Sequence, residues 1–342
     1  MPNTYHAFDV ISPFHAISSL SYCLYQSSAN DSITLHIVPA MHGQYLLKEC
    51  SFMTLSGVHV ELVHQTKRSI GLGVFGSLLR RWMPKGSQNS ENSVFLGHHT
   101  YFKPTVLKYL SKSTAPHIKT FAFEEGIGSY HTLTQEREVS LREGKRFYMV
   151  KFFLKRLLAT KLFLDQRWGL LNSADNENVR YWHTLAVTEL ARNLYAEEGE
   201  SSVPDGVLFF TSPLVCLGLL NNQENEELII KIRTFLKHRG KMLYIKPHPL
   251  DQQVYEHLVE PGCVVNTQAP AEVHLIQHRY AAVAGVNSGA LLTASMMFNV
   301  RAINFCSWLP RLAQQKLLLG PNLQTLFTQY TCDCEELYDD SW

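Results

Sequence analysis

Two short motifs carry side chains that could do chemistry. The first is Glu124-Glu125-Gly126 and the second is Lys246-Pro247-His248-Pro249. A carboxylate and an imidazole are the groups that an acid/base-assisted transfer reaction needs. Each motif follows an apolar run typical of a strand, and α/β proteins collect their chemistry at the carboxyl ends of parallel strands. The pair therefore predicts an enzyme.

The acidic motif places two carboxylates at the end of a predicted strand. If the strand continues, Glu124 and Glu125 point in opposite directions, so only one of them needs to face a ligand. Gly126 permits close approach of the backbone to that ligand. The structural alternative is a polar turn that caps a strand.

The histidine motif is more specific because prolines flank the imidazole. Pro247 and Pro249 restrict the backbone on both sides of His248, so the ring is presented on a stiff loop. A stiff mount suits a catalytic proton donor. The alternative is an ordinary surface histidine in a proline-rich turn.

A third candidate site lies at a predicted strand-to-helix junction. Ser288 follows Asn287 at the start of an apolar helical run and is a favoured N-cap residue. The N-terminus of a helix offers N–H groups and partial positive charge to an anion such as phosphate. The alternative is an N-cap without a ligand.

Strand-like and helix-like segments alternate along the chain, which predicts an α/β fold with parallel sheets. Because 342 residues exceed what one core usually serves, two domains are expected. The predicted division is an N-terminal domain over 1–195, a linker over 196–206, a C-terminal domain over 207–310 and a tail over 311–342. The first domain includes a helical extension, and the tail is expected to be helical and could cross back over the first domain.

Composition limits the class of function. The chain is 45% hydrophobic and 18% charged, and its formal net charge of +1 does not suggest nucleic acid binding. Seven scattered cysteines are not a disulfide framework and fit a reducing cytoplasm. We expect no metal centre, no signal peptide and no membrane span.

One basic segment suggests a partner. Residues 142–167 carry eight lysines and arginines among apolar side chains. A basic amphipathic helix can rest on an anionic membrane surface or contact a polyanionic substrate. The alternative is a solvated helix that packs its apolar stripe.

The motifs and their order resemble the bacterial sialyltransferases of GT-B architecture, in which two Rossmann-like domains face a central cleft. Those enzymes share a D/E-D/E-G motif, an HP motif and a Ser/Thr motif. The resemblance is strongest to the capsule polysialyltransferase and lipooligosaccharide sialyltransferase groups, through Glu124-Glu125-Gly126-Ile127-Gly128-Ser129-Tyr130 and Ser12-Pro13-Phe14-His15.

The resemblance implies inverting, metal-independent transfer of sialic acid from CMP-sialic acid to a glycan hydroxyl. It implies that Glu124 is the general base, with Glu125 the second choice, and that His248 assists the departing CMP phosphate. The donor-binding residues that it implies are Lys246 near the cytosine, Glu272 on the ribose, Ser288 on the phosphate, and the Thr211-Ser212 turn. Helix-face and capping roles are the alternatives for Glu272 and the turn. One departure is Asn287, because many relatives carry a second hydroxyl residue there.

Two other functions stay open at this point. Another CMP-sugar transferase, such as one that uses CMP-Kdo, would need the same CMP contacts. A non-catalytic nucleotide-sugar or glycan-binding protein would leave the glutamate and the histidine without a chemical role.

Overall fold

The chain folds into two compact units, Met1–Leu194 and Tyr195–Trp342. The computed structural model describes residues 3–10, 12–28, 30–37, 52–64, 92–98, 118–123, 166–171, 176–195, 201–267, 269–317 and 319–338. Each unit is built on one β-sheet, and each is described separately below.

The first unit contains a seven-stranded sheet in the order β3-β4-β2-β1-β5-β6-β7. Its strands are β1 (Asn3–Val10), β2 (Ser32–Ile37), β3 (Phe52–Leu55), β4 (Val58–His64), β5 (Asn92–His98), β6 (Ile118–Phe123) and β7 (Gln166–Trp168). All neighbouring strands are parallel except β3, which runs antiparallel to β4. Its described helices are α1 (Pro13–Gln26) and α2 (Glu177–Leu194), which pack against each other.

Helix α1 begins where the sequence signals a start. The Ser12 hydroxyl accepts a hydrogen bond from the His15 N–H at 3.3 Å, and Pro13 occupies the first helical position. Alternate residues of β1, such as Tyr5 and Ala7, are buried, whereas β2 is buried at five of its six residues. Strand β2 is therefore covered on both of its faces.

The second unit contains a five-stranded parallel sheet in the order β12-β11-β10-β8-β9. Its strands are β8 (Ser201–Phe210), β9 (Met242–Lys246), β10 (His278–Gly285), β11 (Ala302–Asn304) and β12 (Cys332–Asp333). Its helices are α3 (Asn222–Lys237), α4 (Ala271–Gln277), α5 (Gly289–Phe298), α6 (Arg311–Lys316) and α7 (Pro321–Tyr330), with 3₁₀ turns at Cys306–Trp308 and Cys334–Tyr338. A capping box between Asn221 and Glu224 starts α3.

The order of these strands creates a topological switch point between β8 and β10. The chain leaves β8 towards β9 on one side, and β10 lies on the other side of β8. Connections that diverge in this way open a crevice at the carboxyl ends of the two strands, where α/β proteins bind ligands. The segments that leave β8, β9 and β10 there are Thr211-Ser212, Pro247-His248 and Val286-Asn287-Ser288.

The α/β class with parallel sheets is confirmed, and the structure corrects the predicted linker. Strand β8 begins at Ser201, and Ser201, Ser202 and Val203 pair with β10 instead of connecting two domains. The register shifts between Tyr280 and Ala282, so that Pro204-Asp205-Gly206 lies in an irregularity of the ladder. A bulge tolerates proline and glycine, which explains why a strand has the composition of a loop.

One further expectation differs from the structure. The sequence pattern over 252–259 predicts a helix, but only residues 256–258 form a turn there, because the Asp251 carboxylate accepts hydrogen bonds from the Gln253 N–H and the Tyr255 hydroxyl. In the tail, β12 joins the sheet of the second unit, and the expectation that the tail crosses back over the first domain stays a prediction. Strands β3, β7 and β12 were not predicted.

Candidate active site

The histidine motif forms a tight turn directly after β9. The His248 carbonyl accepts a hydrogen bond from the Asp251 N–H at 2.7 Å, which closes a β-turn with Pro249 in its second position. The His248 N–H donates to the Thr211 hydroxyl at 2.8 Å. The turn that presents the imidazole is therefore fastened to the end of the neighbouring strand β8.

The imidazole of His248 has a defined tautomer. Its Nδ1 accepts a hydrogen bond from the Leu250 N–H at 3.1 Å. An accepting Nδ1 carries no proton, so the neutral ring carries its proton on Nε2. The ring is therefore arranged to donate a hydrogen bond through Nε2.

The Thr211-Ser212 turn connects the strands on both sides of the switch point. Thr211 bonds to β9 through its N–H, which donates to the Lys246 carbonyl at 3.2 Å. The Ser212 hydroxyl donates to the carbonyl of Val286, just beyond β10, at 3.0 Å. These contacts fasten the turn to β9 and to the segment that follows β10.

Lys246 and Glu272 form a buried charged neighbourhood beside this turn. Lys246 is 8% exposed and Glu272 is 7% exposed. The Lys246 ammonium donates to the carbonyl of Thr267 at 3.2 Å, and the Thr293 hydroxyl donates to Glu272 Oε1 at 3.0 Å. Burial raises the pKa of Glu272, whereas its own backbone N–H, the Thr293 hydroxyl and the Lys246 charge act in the opposite direction.

Two further titratable residues of the second unit were not singled out from the sequence. Burial, followed by the charges of His278 and Lys246, lowers the pKa of His274 to about 3, so this histidine is neutral. Its Nδ1 is buried without a hydrogen-bond partner among the described residues. Tyr255, buried below the histidine turn, donates to Asp251 Oδ2 at 2.7 Å. Neither residue has a local sequence signal, because its contacts form only in the folded unit.

The junction after β10 starts α5 as predicted. Ser288 is the N-cap residue, but its hydroxyl makes no capping hydrogen bond. A Cβ on Gly285 would lie 3.0 Å from the Phe210 carbonyl oxygen, so a larger residue would require the Phe210 backbone to shift by a few tenths of an ångström. The junction therefore presents a helix N-terminus and a serine hydroxyl at the switch point.

Asn287 holds this junction in an unusual conformation. Its φ of +45° lies in the left-handed region, which asparagine tolerates better than most residues. Asn304 Oδ1 accepts the Asn287 N–H at 3.1 Å, and Asn304 Nδ2 donates to Asn287 Oδ1 at 2.8 Å. Asn287 Nδ2 also donates to Cys306 Sγ at 3.2 Å. Sequence reasoning missed Asn304, which fixes the loop before Ser288.

The acidic motif belongs to the other unit. Strand β6 ends at Phe123, and Glu124, Glu125 and Gly126 follow it outside the described residues. The structure brings together Thr211, Ser212, Lys246, His248, Glu272, Asn287 and Ser288 within the second unit. The catalytic pairing of Glu124 with His248 stays a prediction.

The described residues also bear on metal and membrane binding. They contain no group of three or more histidine, cysteine, aspartate or glutamate side chains that could hold a metal ion. No helix among them is both long enough and apolar enough to cross a bilayer. The basic segment 142–167 lies outside the described residues up to 165, and its last two residues belong to β7.

Comparisons with solved structures found distant similarities. A structure described as LpCGTa in complex with UDP is 10% identical, with a TM-score of 0.49, over 98% of this chain and 84% of that chain. The N-terminal domain of Candida albicans trehalose-6-phosphate phosphatase is 9% identical, with a TM-score of 0.32, over 97% of this chain and 94% of that chain. No curated protein sequence matches the chain.

A family model matches more than half of the chain. The model describes alpha-2,8-polysialyltransferases and matches residues 92–307, from the first residue of β5 to just beyond β11. This stretch includes the acidic motif, the histidine turn and the Asn287-Ser288 junction. The chain therefore belongs to the alpha-2,8-polysialyltransferase family of glycosyltransferases.

Proposed function

We propose that the protein is an inverting sialyltransferase that moves sialic acid from CMP-sialic acid to a glycan hydroxyl during synthesis of a surface polysaccharide, either capsule or lipooligosaccharide. The observation that carries this proposal is the cluster at the carboxyl ends of β9 and β10 in the second unit. There the His248 ring carries its proton on Nε2, and Ser288, the N-cap residue of α5, makes no capping hydrogen bond. Family membership supports a sialyl donor. We further propose a GT-B arrangement of the two units.

The chemistry requires stabilisation of a departing phosphate. Sialic acid leaves through an oxocarbenium-like state, so negative charge develops on the CMP phosphate. His248 would donate to that phosphate through Nε2, and Ser288 with the N-terminus of α5 would bind it. These groups would supply the stabilisation without a metal ion.

The remaining donor contacts follow from the same edge of the sheet. Lys246 would lie near the cytosine, and Glu272 would accept hydrogen bonds from the ribose hydroxyls. Thr293 holds the Glu272 carboxylate in place, and Thr211 holds the turn that carries His248. Thr211 and Ser212 would therefore shape the donor site through the strand ends that they fasten.

The acceptor is activated from the other unit in this proposal. Glu124 would take the proton of the acceptor hydroxyl, which attacks the anomeric carbon as the bond to phosphate breaks. The proton ends on Glu124, and the electron pair of the broken bond ends on CMP. We propose that the enzyme works in the cytoplasm, where residues 142–167 contact the inner face of the membrane.

The test is transfer by the purified protein and two variants. With CMP-sialic acid and a panel of sialylated oligosaccharides, the wild type should release CMP and extend an acceptor, in the presence of EDTA as well. Glu124→Gln and His248→Ala should each reduce transfer by about 10²–10⁴-fold. Both should retain CMP binding in calorimetry.

Matched controls make the test specific. Glu125→Gln changes the neighbouring carboxylate, and His238→Ala removes an exposed histidine at the end of α3. Neither should reduce turnover by more than about twofold. Unchanged turnover in Glu124→Gln and His248→Ala would contradict the proposed roles of these residues. Release of CMP from CMP-Kdo but not from CMP-sialic acid would show that CMP-Kdo is the donor.

A further inference from the structure

A cavity of about 400 Å³ lies beside the Asn287-Ser288 junction. Its walls come from the ends of β10 and β11, from α6 and α7, and from the segment around β12. The volume falls within the range of small-molecule sites. The helical wall lies beyond residue 307, outside the stretch that the family model matches.

The lining of this cavity is partly polar and partly apolar, and it carries no positive charge. Among the described residues that line it, none is lysine, arginine or histidine. Leu317, Leu319 and Phe327 form its apolar part, amide and hydroxyl groups form much of the rest, and Asp333 and Glu336 add two carboxylates. Such a lining repels phosphate and carboxylate groups, and it offers donors and acceptors to the hydroxyl groups of a neutral ligand.

The cavity adjoins the position that the proposed function assigns to the donor phosphate. Asn287 lines the cavity and directly precedes Ser288. Because consecutive Cα atoms are about 3.8 Å apart, a donor whose phosphate rests at Ser288 has its sugar close to the cavity. Asn304, which also lines the cavity, holds Asn287 through two hydrogen bonds. The wall nearest the phosphate is therefore fixed by the fold.

We propose that this cavity binds the uncharged, hydroxylated side chain of the transferred sugar. This inference rests on the proposed function and deepens it. In CMP-sialic acid the phosphate and the carboxylate are attached to the anomeric carbon, whereas a neutral three-carbon polyol chain is attached to the carbon on the other side of the ring oxygen. The cavity accepts that chain because its lining disfavours both anions. CMP-Kdo carries a shorter chain, so the cavity distinguishes the two donors.

The experiment narrows the cavity with one substitution and uses a matched control on the same helix. Thr328 and Thr325 are both exposed on α7, and only Thr328 lines the cavity. Thr328→Phe and Thr325→Phe are compared with the wild type for CMP affinity and for KM with CMP-sialic acid. A third measurement uses a CMP-sialic acid analogue whose side chain is two carbons shorter, made by joining the shortened sugar to CMP, because periodate would also cleave the ribose diol of the intact donor.

Thr328→Phe should raise the KM for CMP-sialic acid by about tenfold and leave the Kd for CMP within about twofold, because CMP lacks the sugar. The wild type should have a higher KM for the shortened donor than for the full one, and Thr328→Phe should lose that preference. Thr325→Phe should behave as the wild type.

Three results would overturn the assignment. They are equal KM values of the wild type for full and shortened donors, an unchanged KM in Thr328→Phe, and a loss of CMP binding in Thr328→Phe that Thr325→Phe does not share. A wild type that neither binds CMP nor uses CMP-sialic acid would instead contradict the proposed function, so the two failures are distinguishable.

Discussion

Each unit contains a cluster of buried polar groups, and the two clusters occupy different places. In the first unit the cluster lies where α1, α2 and β7 meet: the Trp168 Nε1–H donates to the Ser21 hydroxyl at 2.8 Å, and Ser21 contacts His183 Nε2 at 3.3 Å. His183 Nδ1 donates to the Val179 carbonyl of its own helix. In the second unit, Thr211, Lys246 and Glu272 lie around the carboxyl ends of strands.

This difference distinguishes buried polar groups that stabilise the fold from buried polar groups that hold the turns of the candidate site. His183 is 0% exposed and both of its ring nitrogens are engaged by α1 and α2, so its hydrogen bonds stabilise the packing of these helices. At the switch point, the buried groups hold turns that present other side chains. Loss of a group of the first kind should reduce stability, and loss of one of the second kind should reduce transfer.

The largest expected effect is that of His183→Ala. The change removes a buried ring, leaves a cavity, and leaves the Ser21 hydroxyl and the Val179 carbonyl without this hydrogen-bond partner. The free energy of unfolding should therefore fall by about 2–4 kcal/mol. Urea denaturation measures the loss, and calorimetry should find CMP affinity unchanged below the unfolding transition. Asn178→Ala, at an exposed position of α2, is the control. A loss of CMP affinity without a loss of stability would contradict the assignment of His183 to the packing of α1 and α2.

Acid should destabilise both units through neutral buried histidines. Burial lowers the pKa of His183 to about 4, although its hydrogen bond to Val179 opposes the shift, and the pKa of His274 is about 3. Unfolded histidine titrates near 6.5, so the unfolded state binds the proton first as the pH falls. The stabilisation is therefore present above about pH 6.5 and is lost towards pH 4, by about 1.4 kcal/mol per pH unit for each group.

Urea denaturation between pH 4.5 and pH 7 measures this loss. His183→Gln and His274→Gln should each reduce the slope of unfolding free energy against pH by about 1.4 kcal/mol per pH unit, which corresponds to one proton. A slope that both variants leave unchanged would show that these histidines do not carry the acid sensitivity.

Thr211→Val should have a moderate effect on catalysis. The substitution keeps the side-chain volume but removes the acceptor of the His248 N–H, so the turn that presents the imidazole loosens. We expect kcat to fall by about tenfold and the unfolding free energy to fall by about 1 kcal/mol. Thr234→Val, on the exposed side of α3, is the matched control. An equal kcat in the two variants would argue against the positioning role.

The smallest effects should come from two left-handed asparagines. Asn299 ends α5 with φ +52° and is exposed, so Asn299→Gly should change stability by only a few tenths of a kcal/mol and leave transfer unchanged. Asn287→Gly keeps φ +45° accessible but loses the contacts with Asn304 Nδ2 and Cys306 Sγ. Its KM for the donor should rise about fivefold. Equal kinetics for the two glycine variants would show that the side-chain contacts of Asn287 do not matter.

Local sequence patterns predicted most of the regular elements, and one missed strand left a readable signal. Strands β1, β2, β4, β5 and β6 and helices α1 and α2 match apolar runs of the expected period. Strand β3 alternates exposed and buried residues and is joined to β4 by Ser56-Gly57, which have φ values of +47° and +82°. That dipeptide is a hairpin signal. The three residues of β7 have no such signal.

The histidine turn was predictable for a physical reason, and its surroundings were not. Flanking prolines restrict His248 through covalent geometry, which acts within a few residues of chain. Asn304 meets Asn287, and Thr293 meets Glu272, only after strands and helices have packed. Contacts between residues about 20 positions apart depend on pairing and burial, which the linear pattern does not record.

By itself, the sequence determined the α/β class, the strand ends that carry the motifs and the residue types available for chemistry, because periodicity, proline and helix-start signals act locally. The tertiary structure decided which strands are neighbours, and therefore where the switch point lies. It also decided that His248 keeps its proton on Nε2, that Asn304 fixes the loop before Ser288, and that a cavity without positive charge lies beside it. These properties arise from groups that approach each other only when apolar surface is buried.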